Sequence, residues 1–231
     1  MYQQLLRKIN FPIYFVVIIT LIQLIQSIFG LDFGQLGVFP RHLEGLPAIL
    51  TAPLIHGSWE HWFYNSVSLL LLGAVLFGFY PRIALRSFIW IYLLSGLGVW
   101  IFAQPFTYHI GASGIVYGMV SLVFWNGIFR RNVKSIVLAL IVLVMYGGFF
   151  PGIVPGKPGI SWESHLLGAF AGIFLAWWYR NEIEEDEVPP PPLDEEEEVK
   201  EYYLPRDTFD MTMEERRILR AAPKSPEGDF L

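Results

Sequence analysis

The chain has 231 residues, of which 54% are hydrophobic, a formal net charge of −5 and no cysteine. Its mean hydropathy, +0.45, is too high for an ordinary soluble domain of this length. The lack of cysteine excludes disulfides, thiolate catalysis and cysteine-based metal sites, and leaves the redox compartment unread.

Charge divides the chain unevenly. Residues 1–180 hold ten Lys/Arg against four Asp/Glu, whereas residues 181–231 hold six against seventeen. The acidic balance belongs to the tail, and the body is apolar and weakly basic.

A membrane-crossing helix needs about 20 apolar residues, within a range of about 17–25. The first candidate, Phe11–Phe29, follows Arg7 and Lys8. That basic flank resembles a signal peptide, but the apolar run is too long and no small-x-small cleavage site follows, so it reads as a retained helix. Gly30 to His56 forms a long, semi-apolar loop carrying Gly34, Gly37, Pro40, Gly45, Pro47 and Pro53. A free linker would be more polar, so this loop is expected to be folded and partly embedded at the interface. Spans are then expected at His61–Phe79, Ile83–Phe102, Ser113–Phe129, Ser135–Phe150 and Ser161–Tyr179. The fourth and fifth are short, which a bilayer tolerates where one end meets a water-filled cavity.

Loop charge gives the direction. One set of ends carries Arg7, Lys8, Arg82, Arg86, Arg130, Arg131, Lys134 and Arg180, while the other carries only Arg41 and Lys157 as cations. The basic side is therefore expected in the cytoplasm together with both termini, and the loops around 30–60, 103–112 and 151–160 face outward. After Arg180 a proline run, Pro189–Pro192, lies between acidic blocks. Residues 181–231 thus read as a mostly disordered cytoplasmic tail, with Thr212-Met-Glu-Glu215 able to start a short helix through Leu219 as a capping box.

Polar groups at membrane depth are costly, on the order of 2.5–3.5 kcal/mol for a charge, so those the spans keep are informative. The second span opens on His56, His61 and Asn65; His61 and Asn65, four apart, share a helix face. Alone they read first as a helix–helix hydrogen bond plus an interfacial histidine, and the histidine spacing is too loose for a metal motif. The fourth opens on Gly111-Ala112-Ser113-Gly114, with Tyr117 one turn on. Ser113 stands at a helix N-terminus, where free N–H groups and the dipole favour developing negative charge. Gly114 and Gly118 are equally a small-residue packing surface. In the sixth span His165, Gly168 and Gly172 fall at i, i+3 and i+7. If that face packs on the Gly114–Gly118 face, Ser113 and His165 meet at one depth.

In these motifs, in this order on these spans, the chain resembles the rhomboid family of intramembrane serine proteases: His-x4-His-x3-Asn, Gly-x-Ser-Gly followed by a tyrosine, and His-x2-Gly-x3-Gly. The resemblance covers roughly residues 10–180, the tail lying outside it. One departure is visible: Pro40-Arg41 stands where many members have Trp-Arg. The resemblance implies an all-α membrane protein, a six-transmembrane-helix bundle over residues 1–180. It implies Ser113 as nucleophile and His165 as base, a dyad without aspartate. It implies oxyanion stabilisation by Asn65, His61 and the Ser113 N–H, packing of Tyr117 against His165, and His56 as a structural bond between first loop and second helix. Gly111, Gly114, Gly168 and Gly172 support this arrangement. The implied partners are transmembrane protein substrates and the lipid bilayer, with no cofactor, metal or nucleic acid; the tail's partner stays open. The implied place is the plasma (inner) membrane, with the site opening to the extracytoplasmic side. The alternative is a catalytically silent rhomboid-like protein that binds transmembrane clients. A transporter would need polar groups nearer the midplane and usually an internal repeat, and a scaffold would act through the tail.

Overall fold

Helix α1, Tyr2–Phe29, buries Phe15, Ile19, Gln23 and Gln26 on one stripe. It leaves Tyr14, Val17, Ile18, Leu21, Leu24, Ile25 and Ile28 exposed. A helix that is apolar on its outer face as well as its inner one belongs in an apolar medium. The computed structural model describes residues 2–156, 161–188 and 212–221. Lys157, the proline run and most of the expected disordered tail lie outside them.

Ser58 starts α2 (Trp59–Phe79), its Oγ accepting the His61 N–H at 3.1 Å. Where α1 crosses α2, the Pro12 ring lies on Gly73: a Cβ at Gly73 would stand 2.6 Å from Pro12 Cβ and Cγ. Pro81 occupies the first position of α3 (Pro81–Phe102), where its missing N–H costs nothing. α4 (Ser113–Arg130) is the central element and packs on α2, α3, α5 and α6. It ends on Arg131 in the left-handed region, and Asn132 then caps α5 (Val133–Tyr146) by accepting the Ser135 N–H at 2.8 Å.

α5 is shorter than the expected 135–150. Gly147 and Gly148 weaken the helix, and Pro151 lacks an N–H and crowds the carbonyl four residues back. The chain therefore tightens into a 3-10 segment, Gly147–Ile153. α6 is Trp162–Trp178. α1, α2 and α3 are long and apolar enough to cross a bilayer by length and composition. The described residues contain no β-strand, and the backbone pairing of Val38 with His109 is an isolated bridge.

The α4–α6 seam is built on glycine. A Cβ at Gly168 would fall inside van der Waals contact with the Gly114 carbonyl, and one at Gly172 with the Gly118 carbonyl. Backbone therefore lies directly on backbone.

The first loop is folded. It forms short helical turns at Gly34–Leu36, Leu43–Gly45, Ala48–Thr51 and Ala52–Leu54, and side chains of α3 bond to it. Trp100 Nε1 donates to the His42 carbonyl at 2.8 Å, Tyr92 OH to the Leu50 carbonyl at 2.5 Å, and Arg41 Nη2 to the Ala103 carbonyl at 2.9 Å. Arg41 itself has φ +62.

The first compact unit runs to Val188, past the boundary expected at Arg180. The Glu184 carboxylate accepts the Arg82 N–H at 3.0 Å, at the first turn of α3, and Glu184 is fully buried. Glu187 pairs with Arg130 at 3.2 Å and with Lys134 at 3.0 Å; Asp186 pairs with Lys134 at 2.8 Å. Composition alone reads this acidic stretch as tail, but the basic ends of α3, α4 and α5 bind it. In the second unit, residues 189–231, α7 spans Met213–Ala221. The Thr212 N–H donates to Glu215 at 2.7 Å, and the Glu215 N–H to Thr212 Oγ1 at 3.4 Å, the reciprocal bonds of a capping box.

Candidate active site

Ser113 is the first residue of α4. The turn before it is held from the first loop: the Gly111 N–H donates to the Ala52 carbonyl at 2.8 Å, and the Ala112 N–H points at His56 Nε2 at 3.5 Å. Gly111 has φ +103, and a Cβ there would collide with the His61 ring. The N–H groups of Ser113 and Gly114 stand in the first helical turn, where no intrahelical acceptor exists. α4 thus brings free donors and its positive dipole end to the Ser113 hydroxyl.

His165 lies in the first turn of α6. Its Nε2 is 2.9 Å from Ser113 Oγ, and its Nδ1 is 2.9 Å from the Gly152 carbonyl oxygen. A carbonyl only accepts, so Nδ1 carries the hydrogen. In the neutral ring Nε2 is then the acceptor, and the Ser113 hydroxyl donates to it. A main-chain carbonyl thus sets the tautomer that a carboxylate sets in a triad. Glu163, two residues earlier, makes no hydrogen bond to the ring. The Tyr117 ring stacks on His165 with centroids 4.1 Å apart and planes 10° apart. Gly152 leaves room for both: a Cβ there would be 3.2 Å from His165 Nδ1 and would overlap the Tyr117 hydroxyl.

A partly open cavity of about 1150 Å³ brings together Ser113, His165, His61, Asn65, Tyr117 and Gly152. The Asn65 amide donates to the His61 carbonyl of its own helix at 2.9 Å; an amide NH2 has a second hydrogen to give. His56 does not touch the cavity. Its ring lies edge-on to His61, centroids 4.9 Å apart, and its carbonyl accepts from Gln26 Nε2 at 3.2 Å. The bonds of His56 thus run to α1 and to the turn before Ser113. Burial, and secondarily the neighbouring His61, holds the His56 ring down to about 3, so it is neutral at ordinary pH. Among the described residues no group of His, Asp and Glu is placed to hold a metal ion.

Sequence reasoning assigned no role to Gly152 or His109. Gly152 bonds the histidine through a carbonyl that every residue type has; its only local sign is the Pro151-Gly152 turn. His109 Nδ1 is 2.6 Å from Ser161 Oγ, and Ser161 Oγ is 2.6 Å from Ser164 Oγ. His109 thereby joins the loop before α4 to the first turn of α6. Burial lowers its pKa, against the opposing charge of Glu163.

Fold and composition define an all-helical integral membrane protein with a serine–histidine pair at the start of two packed helices. A Rhomboid domain matches residues 44–182, from the first loop to just beyond α6, and the chain belongs to the rhomboid family. It is 36% identical over 176 residues to the uncharacterized protein Rv1337 of Mycobacterium tuberculosis, covering 71% of each chain. It is 30% identical to the uncharacterized protein ML1171 of Mycobacterium leprae, covering 71% of this chain and 68% of that one. A putative rhomboid protease of Bacillus subtilis, YdcA, is 23% identical over 138 residues, 55% of this chain and 64% of the other.

Proposed function

We propose that this protein is an intramembrane serine protease that hydrolyses peptide bonds in or near the transmembrane segments of other membrane proteins. The observation that carries the reading is the hydrogen-bonded series Ser113 Oγ–His165 Nε2 and His165 Nδ1–Gly152 O, both 2.9 Å, in a cavity large enough to hold water. Family membership supports it.

In this reading His165 Nε2 takes the Ser113 proton as Oγ attacks the substrate carbonyl carbon. The oxyanion receives hydrogen bonds from the Ser113 N–H, the Asn65 amide and the His61 ring. The C–N bond breaks as the imidazolium gives its proton to the leaving nitrogen. Water then attacks the acyl-enzyme, His165 accepts its proton, and Ser113 Oγ regains that proton as the acid product leaves. Tyr117 and Gly152 keep the ring in place throughout. The substrate helix must unwind first, because a helical carbonyl is already hydrogen-bonded.

The same reading has α1 to α6 all cross the membrane, with both termini in the cytoplasm. The basic residues Arg82, Arg86, Arg130 and Lys134 at the ends of the helices remote from Ser113 and His165 support that direction. The cavity then opens to the extracytoplasmic side and supplies water that the bilayer core lacks. The test is reconstitution in lipid vesicles with a single-span model substrate, mapping the cut by mass spectrometry. Cleavage by the wild-type protein and none by Ser113→Ala supports the reading. Equal cleavage by both, or by neither with the protein folded, refutes it.

A further inference from the structure

Among the described residues, the carboxylates at the cavity have no cation beside them. Glu60, exposed in the first turn of α2, lies at its edge, and Glu163 reaches it from the first turn of α6. Among the described residues no lysine or arginine lines it. Glu163 is 9% exposed, makes neither hydrogen bond nor ion pair among the described residues, and keeps its carboxylate oxygens accessible from the cavity. Both nitrogens of the neighbouring His165 ring are occupied by Ser113 and Gly152, so that ring offers Glu163 no bond. Arg41, an outer-loop cation, is turned away to the Ala103 carbonyl.

We infer that Glu163, with Glu60 at the edge of the cavity, is a specificity-determining group that selects substrates carrying a lysine or arginine within a few residues of the scissile bond, on the water-facing side. A substrate cation entering the cavity pairs with the carboxylates at its wall, and an acidic side chain there meets like charge. The choice would be discriminating in a membrane, since basic residues are sparse on the outer side of most spans. This inference rests on the protease reading above.

The test uses the full-length protein in lipid vesicles with a single-span model substrate in three forms, carrying Lys, Gln or Glu in turn at each position flanking the cut. At one or more positions the wild type should cleave the Lys form at about ten times the kcat/KM of the Glu form, the scale on which opposed charges discriminate partners. Glu163→Gln should bring the ratio to within about twofold, and Glu163→Lys should reverse its order. The Gln form is the internal reference, so a variant of lower overall activity still yields a ratio. A wild-type ratio near one at every position overturns the inference, as does a preference that survives Glu163→Lys. Cleavage of all three forms with no preference would overturn this inference alone; cleavage of none would overturn the protease reading with it.

Discussion

Replacing Gly168 by alanine tests the packing that brings Ser113 and His165 together. The new Cβ would stand 2.8 Å from the Gly114 carbonyl carbon and 3.0 Å from its Cα, with the carbonyl oxygen nearer still. Carbon atoms pack at about 3.5–4.0 Å, so α4 and α6 must part by roughly 0.5–1 Å. Gly114 adjoins Ser113, and Gly168 is one turn from His165, so the separation is added to the 2.9 Å bond between them. At about 3.6 Å that bond no longer exists. Overpacking of this kind costs about 1–3 kcal/mol of stability, and a displacement of about 1 Å in a reacting pair costs about 100-fold in rate. The assay is thermal unfolding in detergent beside the rate of labelling by a fluorophosphonate. Gly78→Ala is the control, because a Cβ there meets nothing within 4 Å. Alanine at that position should be neutral or gain about 0.5–1 kcal/mol. If Gly168→Ala matches the wild type in both melting and labelling, the seam does not set the geometry of the pair.

Further outcomes follow from single contacts. Asn65→Ala should lower kcat for a transmembrane substrate by about 10²–10³, the range for loss of one oxyanion donor, with melting little changed; an unaltered kcat removes Asn65 from the mechanism. Gly152→Ala should displace the Tyr117 hydroxyl and the His165 ring and depress labelling in a protein that still folds; full labelling would show that the ring does not depend on this loop. His56 is held down to about 3 in the fold, against about 6.5 when unfolded. Between those values the unfolded chain binds a proton that the folded one does not, so stability present above about pH 6.5 is lost as pH falls towards 3. The melting temperature should drop between pH 7.5 and pH 5, and drop less in His56→Gln; equal drops would sink the assignment.

Much of the architecture can be read from one-dimensional pattern because lipid leaves the backbone few choices. Long apolar runs mark α1, α2 and α3, and the spacing of Gly168 and Gly172 after His165 marks a face fit for close packing. Other features depend on what is absent from a residue or distant in the chain. Gly152 acts through a main-chain carbonyl and through space for the Tyr117 hydroxyl, neither of which has a residue signature. The end of α5 at Tyr146 follows from Gly147, Gly148 and Pro151, which outweigh the apolar run continuing through Phe150. Glu184, Asp186 and Glu187 read as solvated tail by composition, yet Arg82, Lys134 and Arg130, at least 52 positions earlier in the chain, give them partners. His56 sits one turn from α2, but its ring bonds forward to Ala112, a contact that only folding of the first loop creates.

The most direct measurement is covalent labelling of the detergent-solubilised protein by a fluorophosphonate serine probe, with wild type beside Ser113→Ala and His165→Ala. Labelling of wild type alone is the predicted result, since only a serine whose proton is taken by His165 attacks phosphorus at a useful rate. No labelling of a folded wild type, or equal labelling of His165→Ala, would contradict the account.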